Sequence, residues 1–316
     1  MTDKIVTIDN KKLKLTNLEK EFWPPFAKAT GGKPGITKLD LINYYSDMAE
    51  YILPYLKDRA LSMHRFPDGI NGESFFQKNI GEMKLPWMKT KKITDLPRGK
   101  AGDDGKITEY LVCNDKTTLI YLANLACIEL HPWLSKISDL KHPDFLVLDL
   151  DPEDVPFSKV VDVALTAKKV LDRLDITGFI KTSGIRGLHI YLAIGARYTY
   201  DQVKDFAEIL ARLINKEIPE ITSLERLPEK RKHKVYIDWL QNAEAQTVVA
   251  PYSPRPKPGA PVSTPLEWKE LNSKLDPKDF TIKNIQTRLK SKGDIFKKLL
   301  TEKPVDIKRV LKSLNE

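Results

Sequence analysis

Cysteine is the scarcest functional resource in this chain. Its 316 residues hold two, Cys113 and Cys127, which is too few and too widely spaced for a CxxC metal motif or a disulfide framework. With five histidines beside them, a cysteine-rich zinc module is excluded, and a reducing, intracellular setting fits. No stretch reaches 18 consecutive apolar residues, so no membrane-spanning helix is expected. Met1 to Lys14 alternates charge and lacks an apolar run, so a secretory leader is not expected either. Internal repeats and long low-complexity stretches are absent.

Charge, by contrast, is plentiful. Lys and Arg number 52 against 43 Asp and Glu, a net +9, and such a surface attracts polyanions, nucleic acid first. Apolar residues make up 41% of the chain, enough for a soluble globular fold with a sizeable core.

Periodicity predicts a mixture of helices and strands. Thr16-Asn17-Leu18-Glu19 and Thr37-Lys38-Leu39-Asp40 both have the form of a capping box opening a helix. After the second, Leu41, Tyr45, Met48, Ile52 and Leu56 keep helical spacing, and Pro54 is expected to kink or end that helix. Thr118 to Leu130 predicts a buried helix; Val160 to Leu174 and Gln202 to Asn215 predict amphipathic ones. Strands are expected at Phe145 to Leu150, Leu188 to Ile194 and Val235 to Trp239. Gly99 to Gly105 predicts a loop, and Pro251 to Pro265, with six prolines, an extended one. After Asp276 the chain is Lys-rich and weakly helical. The expected class is α+β (mixed α/β).

Two patterns carry chemistry. Asp149 and Asp151 lie two apart in an apolar strand, so their side chains share one face while Leu148 and Leu150 point into the core. Paired carboxylates on a hydrophobic strand repel and are costly to desolvate; a divalent cation offsets both effects. Asp238 repeats the logic in Val235-Tyr236-Ile237-Asp238-Trp239. Three such carboxylates suit one or two Mg²⁺ or Mn²⁺ ions. The second pattern is Lys181-Thr182-Ser183-Gly184-Ile185-Arg186-Gly187-Leu188-His189, set between two strands. Its glycines let backbone N–H groups approach an anion, Ser183 and His189 can donate to phosphate, and Arg186 offers a planar fork of donors. Arg231 and Arg255 are further phosphate candidates. The bland alternatives are carboxylates that cap helices, an ordinary glycine turn and solvated lysines.

In order along the chain, hhhDLDP ending at Pro152, SGxxGLH at Ser183 to His189 and hhhDW ending at Trp239 resemble the archaeo-eukaryotic primase superfamily. The similarity is closest to the polymerase domain of bacterial ligase D and its stand-alone relatives. Supporting stretches are Leu15 to Lys20, His64 to Gly69, Ser74 to Lys78, Glu129-Leu130-His131, Asp238 to Asn242 and Ala250 to Arg255, over roughly residues 10 to 295. The resemblance implies a primase-polymerase fold: a central catalytic β-sheet flanked by helices. It implies one domain over residues 1–300, with its core at about 140–260 and a helical tail at 301–316.

The resemblance further implies template-directed addition of nucleotides, ribonucleotides by preference, to a DNA 3′-hydroxyl at gaps or breaks in end joining. Two divalent ions, Mn²⁺ or Mg²⁺ and not zinc, would be held by Asp149, Asp151 and Asp238. Ser183, Arg186, His189, Arg231 and Arg255 would contact the nucleotide, with His131 near its sugar. Asn17, Lys20 and Lys38 match residues that bind a downstream 5′-phosphate, and the insert Ala29 to Gly35 precedes Lys38. Phe75 and Phe76, with Arg65 and Lys78, match a platform that stacks near the template base. Expected partners are gapped or broken double-stranded DNA, nucleoside triphosphates, a separate DNA ligase and a Ku-type end-binding protein, in a cytoplasmic, nucleoid-associated setting. The competing readings are a primer-independent primase, a haloacid-dehalogenase-type phosphatase using the DxD pair, and a non-catalytic DNA-binding module.

Overall fold

A computed structural model describes residues 3–25, 35–94 and 107–314. The expected loop at Gly99 to Gly105 and nearly all of the Ala29 to Gly35 insert lie outside the described residues. The fold is mixed α/β, as the sequence predicts, and the chain divides into two compact units. The first holds residues 1–138, 247–263 and 280–291; the second holds 139–246, 264–279 and 292–316.

The first unit is built on a five-stranded sheet. Its strands are β1 (Leu61–Arg65), β2 (Phe75–Gln77), β3 (Lys89–Ile93), β4 (Thr108–Val112) and β5 (Cys127–Pro132). Antiparallel pairing runs β2–β1–β4–β3, and β5 pairs with β1. Helix α1 (Lys38–Asp47) opens on the predicted box: Thr37 Oγ1 accepts from the Asp40 N–H, and Asp40 accepts from the Thr37 N–H. The box predicted at Thr16 opens no helix. Asn17 takes a left-handed conformation (φ 54°), and the Lys20 N–H closes a turn onto the Asn17 carbonyl. The run that the sequence reads as one helix breaks at Met48, and Pro54 sits inside the second piece, α2 (Ala49–Leu56), two residues before its end.

The helix expected over Thr118 to Leu130 is two elements. Helix α3 (Lys116–Asn124), capped by Asp115, stops at Leu125; Ala126 turns left-handed (φ 61°), and the chain continues as β5. The continuous apolar run hid this switch, because a buried strand and a buried helix read alike at that length. The Pro-rich segment fastens to β5: the Leu130 N–H donates to Ser253 Oγ (3.0 Å) and the Ala250 N–H to the Leu130 carbonyl (2.8 Å).

The second unit holds a six-stranded sheet: β6 (Phe145–Pro152), β7 (Phe179–Thr182), β8 (Leu188–Ala193), β9 (Thr222–Ser223), β10 (Val235–Asp238) and β11 (Pro265–Leu266). Its order is β9–β10–β6–β8–β7–β11, antiparallel except for β9 with β10. Helices α4 (Phe157–Arg173) and α5 (Tyr200–Glu217) pack on β6, and α5 opens on a capping box from Thr199. Leu146, Leu148 and Leu150 of β6 are fully buried. Burying one such leucine contributes about 1.5–3 kcal/mol, so the register that puts alternate residues on the opposite face is held firmly.

Candidate active site

Strand register builds the acidic centre. Asp149 on β6 lies directly opposite Asp238 on β10 and His189 on β8, and His189 lies opposite Lys181 on β7. Directly opposed residues share a sheet face. Four neighbouring strands therefore present one row, Lys181, His189, Asp149, Asp238. Asp151, two residues on, shares that face and lies opposite Tyr236. Pro152 is the last residue of β6, an interior strand, so the pair sits at the end of that strand on a face of the sheet.

Each polar group in the row is oriented by another. Lys181, fully buried, holds Nζ 2.9 Å from His189 Nδ1. An ammonium only donates, so Nδ1 accepts and the ring proton sits on Nε2, 3.3 Å from Asp149 Oδ1. Asp238 accepts from the Leu240 N–H (2.9 Å), the Gln241 amide (3.1 Å) and the Tyr236 hydroxyl (3.2 Å). Burial nonetheless pushes its carboxyl above the ordinary range, and burial, together with the Asp238 charge, raises the Tyr236 phenol. A cation beside Asp238 would favour its ionised form. Three carboxylates without a thiolate suit a hard divalent ion, so the residues present fit Mg²⁺ or Mn²⁺.

The glycine loop closes against this strand. Gly184 has φ 81°, a conformation that favours glycine, and a Cβ at Gly187 would lie 2.6 Å from the Leu150 carbonyl and 3.2 Å from Asp151 Oδ1. Ser183 Oγ accepts from the Gly187 N–H (3.0 Å) and the Ile185 N–H (3.3 Å), which fixes the loop. Arg186 is exposed on the wall of a groove of about 610 Å³, with Pro152, Ile185, Lys274 and Lys278 also lining it. Arg231 is tied down: it pairs with Glu153 (3.1 Å), donates to the Glu225 and Arg226 carbonyls and stacks 4.0 Å over Tyr236.

In the first unit, Glu129 gathers the other candidates. Its Oε2 lies 2.5 Å from His64 Nδ1 and 3.3 Å from His131 Nε2, and its Oε1 lies 2.6 Å from Arg255 Nε. Burial raises the Glu129 carboxyl, but the two histidines and the Arg255 charge outweigh it and hold the group well below the carboxylate range. Among the described residues, His64, Glu129 and His131 form a group whose ligand atoms all lie within 4.8 Å of one another, a spacing compatible with a metal. Arg255 already neutralises the one carboxylate there, so we read the group as a hydrogen-bonded cluster. Phe75 and Phe76 are 45% and 56% exposed on β2, an outer strand of its sheet; such exposure suits a stacking platform. The Arg65 guanidinium lies 5.3 Å from the Phe75 ring, and Lys78 is exposed just beyond the strand.

Asn17, Lys20 and Lys38 also meet. The Lys38 N–H donates to the Lys20 carbonyl (2.8 Å) and the Leu39 N–H to the Leu18 carbonyl (2.9 Å), which docks the turn on the start of α1. Lys20 pairs with Asp68 at 2.5 Å. Lys38 is buried, and desolvation together with the Lys20 and Arg65 charges lowers its pKa to about 8.

With this geometry in place, relatedness decides the family. The family model for the LigD primase-polymerase domain matches residues 37–296. The chain belongs to that family. It is 34% identical over 287 residues to the bifunctional non-homologous end joining protein LigD of Bacillus subtilis (strain 168), covering 90% of this chain and 44% of that protein. The multifunctional LigD of Pseudomonas aeruginosa is 32% identical over 254 residues, covering 80% of this chain and 29% of that protein. The chain thus spans less than half the length of these curated relatives. The solved polymerase domain of Mycobacterium tuberculosis ligase D, in complex with DNA, superposes with a TM-score of 0.79 at 26% identity, covering 92% of this chain and 99% of that one. The family makes this chain a DNA-directed nucleotidyltransferase that uses divalent metal.

The sequence reading of this LigD-family domain missed several residues. Lys181 was visible in the glycine-loop motif, but its role needs strand register. Tyr236 precedes Asp238 by two and so shares its face, a signal that was available. Glu129 precedes His131 by two in the same way, but the helical assignment of that run concealed it. Asn242 pairs with β6 through its side chain, exchanging two hydrogen bonds with the Val147 backbone (2.8 and 2.7 Å) where β10 has ended. Among the described residues, no helix is long and apolar enough to cross a membrane.

Proposed function

We propose that this chain is an end-joining repair polymerase: it adds nucleotides, templated by DNA, to a DNA 3′-hydroxyl at gaps or breaks. The observation that carries the reading is the row of Asp149, Asp238 and His189 on one sheet face, with Asp151 beside it and the Ser183–Gly187 loop closed against Asp151. That face offers carboxylates for cations and backbone and side-chain donors for phosphates.

Asp149, Asp151 and Asp238 would hold two divalent ions, Mn²⁺ or Mg²⁺. Such ions neutralise charge at the reacting phosphate and acidify an attacking hydroxyl. The chain's own residues do the rest. His189, held by Lys181, keeps its Nε2 proton directed at Asp149. Tyr236, Gln241 and the Leu240 N–H orient Asp238. Ser183, Arg186 and Arg231 contact the triphosphate, His131 the sugar, and Arg255 the nucleotide, and ribonucleotides are preferred. The primer oxygen attacks the α-phosphorus in line and pyrophosphate leaves; positioning and charge neutralisation supply the rate.

The turn carrying Asn17 and Lys20, with Lys38 behind it, would bind a 5′-phosphate on the far side of a gap. Lys20 would exchange Asp68 for the phosphate. Phe75 and Phe76, with Arg65 and Lys78, would stack near the template base. Residues 1–300 would act as one polymerase domain followed by a helical tail. A DNA ligase and a Ku-type end-binding protein would be its partners at the nucleoid.

The test uses a primed duplex with a short gap and a downstream 5′-phosphate, in Mn²⁺ or Mg²⁺. Extension of the primer, faster than synthesis on an unprimed template, supports the reading. Synthesis that needs no primer would instead make the chain a primase.

A further inference from the structure

The groove beside Arg186 is built from the second unit alone. It adjoins the acidic face: Pro152 follows Asp151 directly, and Ile185 and Arg186 belong to the loop closed against Asp151. Residues 273–278 also line it, and their turns are fixed. The Lys274 N–H donates to Asn272 Oδ1 (2.9 Å), the Lys278 N–H donates to Asp276 Oδ1 (2.9 Å), and Pro277 is buried. Lys274 and Lys278 are thus held in this lining with their side chains exposed. Among the described residues, neither lysine nor Arg186 makes an ion pair or a side-chain hydrogen bond, whereas Arg231 is held by Glu153. Two carboxylates line the groove as well. Asp276 caps its own turn, and Asp154 lies 3.9 Å from His233 Nδ1, so neither pairs with a groove cation. At about 610 Å³ the groove has the size of a site for an organic ligand, about 300–1,000 Å³, rather than for one phosphate. Val155, Phe157, Ile185 and Leu275 give it apolar surface. Such surface offers nothing to a phosphate tail, but bases lie well on it.

We propose that this groove binds an unpaired DNA strand leading off the acidic face, with its phosphates at Arg186, Lys274 and Lys278 and its bases against Phe157 and the aliphatic lining. The inference rests on the reading that the acidic face acts on DNA ends. The three cations take up phosphates without giving up an ion pair, unlike Lys20, which would first have to leave Asp68. Charge that follows a backbone, combined with apolar surface under the bases, holds a single strand whatever its sequence. An unpaired strand at a broken end has no fixed sequence, so this chemistry suits it.

The test measures affinity of the whole chain for a labelled oligothymidylate of about ten nucleotides, in metal-free buffer over a range of salt. The proteins are the wild type, Lys274→Ala/Lys278→Ala and Lys169→Ala/Lys216→Ala. The last removes the same charge from exposed positions on α4 and α5. Arg186 stays in place, because it is read as a nucleotide contact. The groove variant should bind about tenfold more weakly at low salt, the worth of two exposed charge contacts. Its slope of log affinity against log salt should be shallower by about 1.4, or roughly 0.7 for each phosphate. The α4/α5 variant should keep the wild-type slope. Equal changes in both variants, or none in the groove variant, would overturn the inference. So would a groove variant that loses affinity for inorganic pyrophosphate but not for the oligonucleotide; the groove would then serve the phosphate tail of a nucleotide. Primer extension by the wild type on the gapped duplex, run separately with Mn²⁺, decides the polymerase reading. No extension would defeat that reading, whereas extension beside a failed binding test would defeat the inference alone.

Discussion

The six-stranded sheet sets Asp149 opposite Asp238 with Asp151 on the same face, whereas the five-stranded sheet sets one carboxylate, Glu129, among His64, His131 and Arg255. Both use the same device, side chains brought into one row by strand register. Their electrostatic states are opposite. In the first, three carboxylates share one face, and burial raises Asp238. In the second, three donors surround one carboxylate, and Glu129 is held low. Asp238 and Glu129 are thus displaced in opposite directions, the first by burial and the second by the histidines and Arg255 that outweigh its burial.

The sharpest way to break this comparison is to turn each carboxylate into its amide. Asp149→Asn should cost about 10²–10³ in synthesis rate by removing a preorganised charge. In metal-free buffer it should leave Tm unchanged or raised, because a like-charge neighbour is relieved. Glu129→Gln should lower stability by about 3 kcal/mol by leaving the Arg255 charge unpaired. Thermal melts of the two variants that moved in the same direction would contradict the contrast.

Next in size is the response to metal. Mn²⁺ or Mg²⁺ at about 100 times its Kd should stabilise the wild type by about 2.7 kcal/mol and leave an Asp149→Asn/Asp238→Asn double variant unmoved. A metal-induced rise in Tm that survives the double variant but disappears in His131→Ala would relocate the metal to the Glu129 cluster. Asn242→Ala should cost about 1–3 kcal/mol by leaving the buried Val147 backbone groups unsatisfied, measured by urea unfolding.

The smallest expected effect concerns pH. Lys38 has its pKa lowered to about 8, so its ammonium is complete below that pH and lost above it. The unfolded chain keeps Lys38 charged to about 10.4, so this group makes folding more favourable as pH rises from 8 towards 10. Binding runs the other way: preference for a 5′-phosphate over a 5′-hydroxyl should weaken between pH 7 and 9. Fluorescence titrations with the two duplexes give that ratio, and a ratio flat with pH would remove Lys38 from the pocket.

Much of the second unit was legible because its strands alternate or run apolar between clear turns, and Asp149, Asp151 and Asp238 broke that pattern at one face. Register was not legible, since periodicity does not say which residues of two strands face each other; Lys181 facing His189, 8 residues on, and Asn242 bonding Val147, 95 residues back, needed the fold. In the first unit, Ala126 hid the change from helix to strand. An alanine in left-handed conformation carries no sequence mark, unlike the glycine that signals such a turn elsewhere. The Thr16 box misled for the opposite reason: the local pattern was present, but Asn17 spent it on a turn.

The central claim is that the Asp149 row performs nucleotidyl transfer rather than merely helping to bind DNA. Its most direct measurement takes wild type and Asp149→Asn side by side and records both templated incorporation and affinity for the gapped duplex. The account predicts that incorporation falls by orders of magnitude while affinity stays within about twofold, because the carboxylate acts on charge in the transition state. Equal losses in both, or incorporation that survives the substitution, would contradict it.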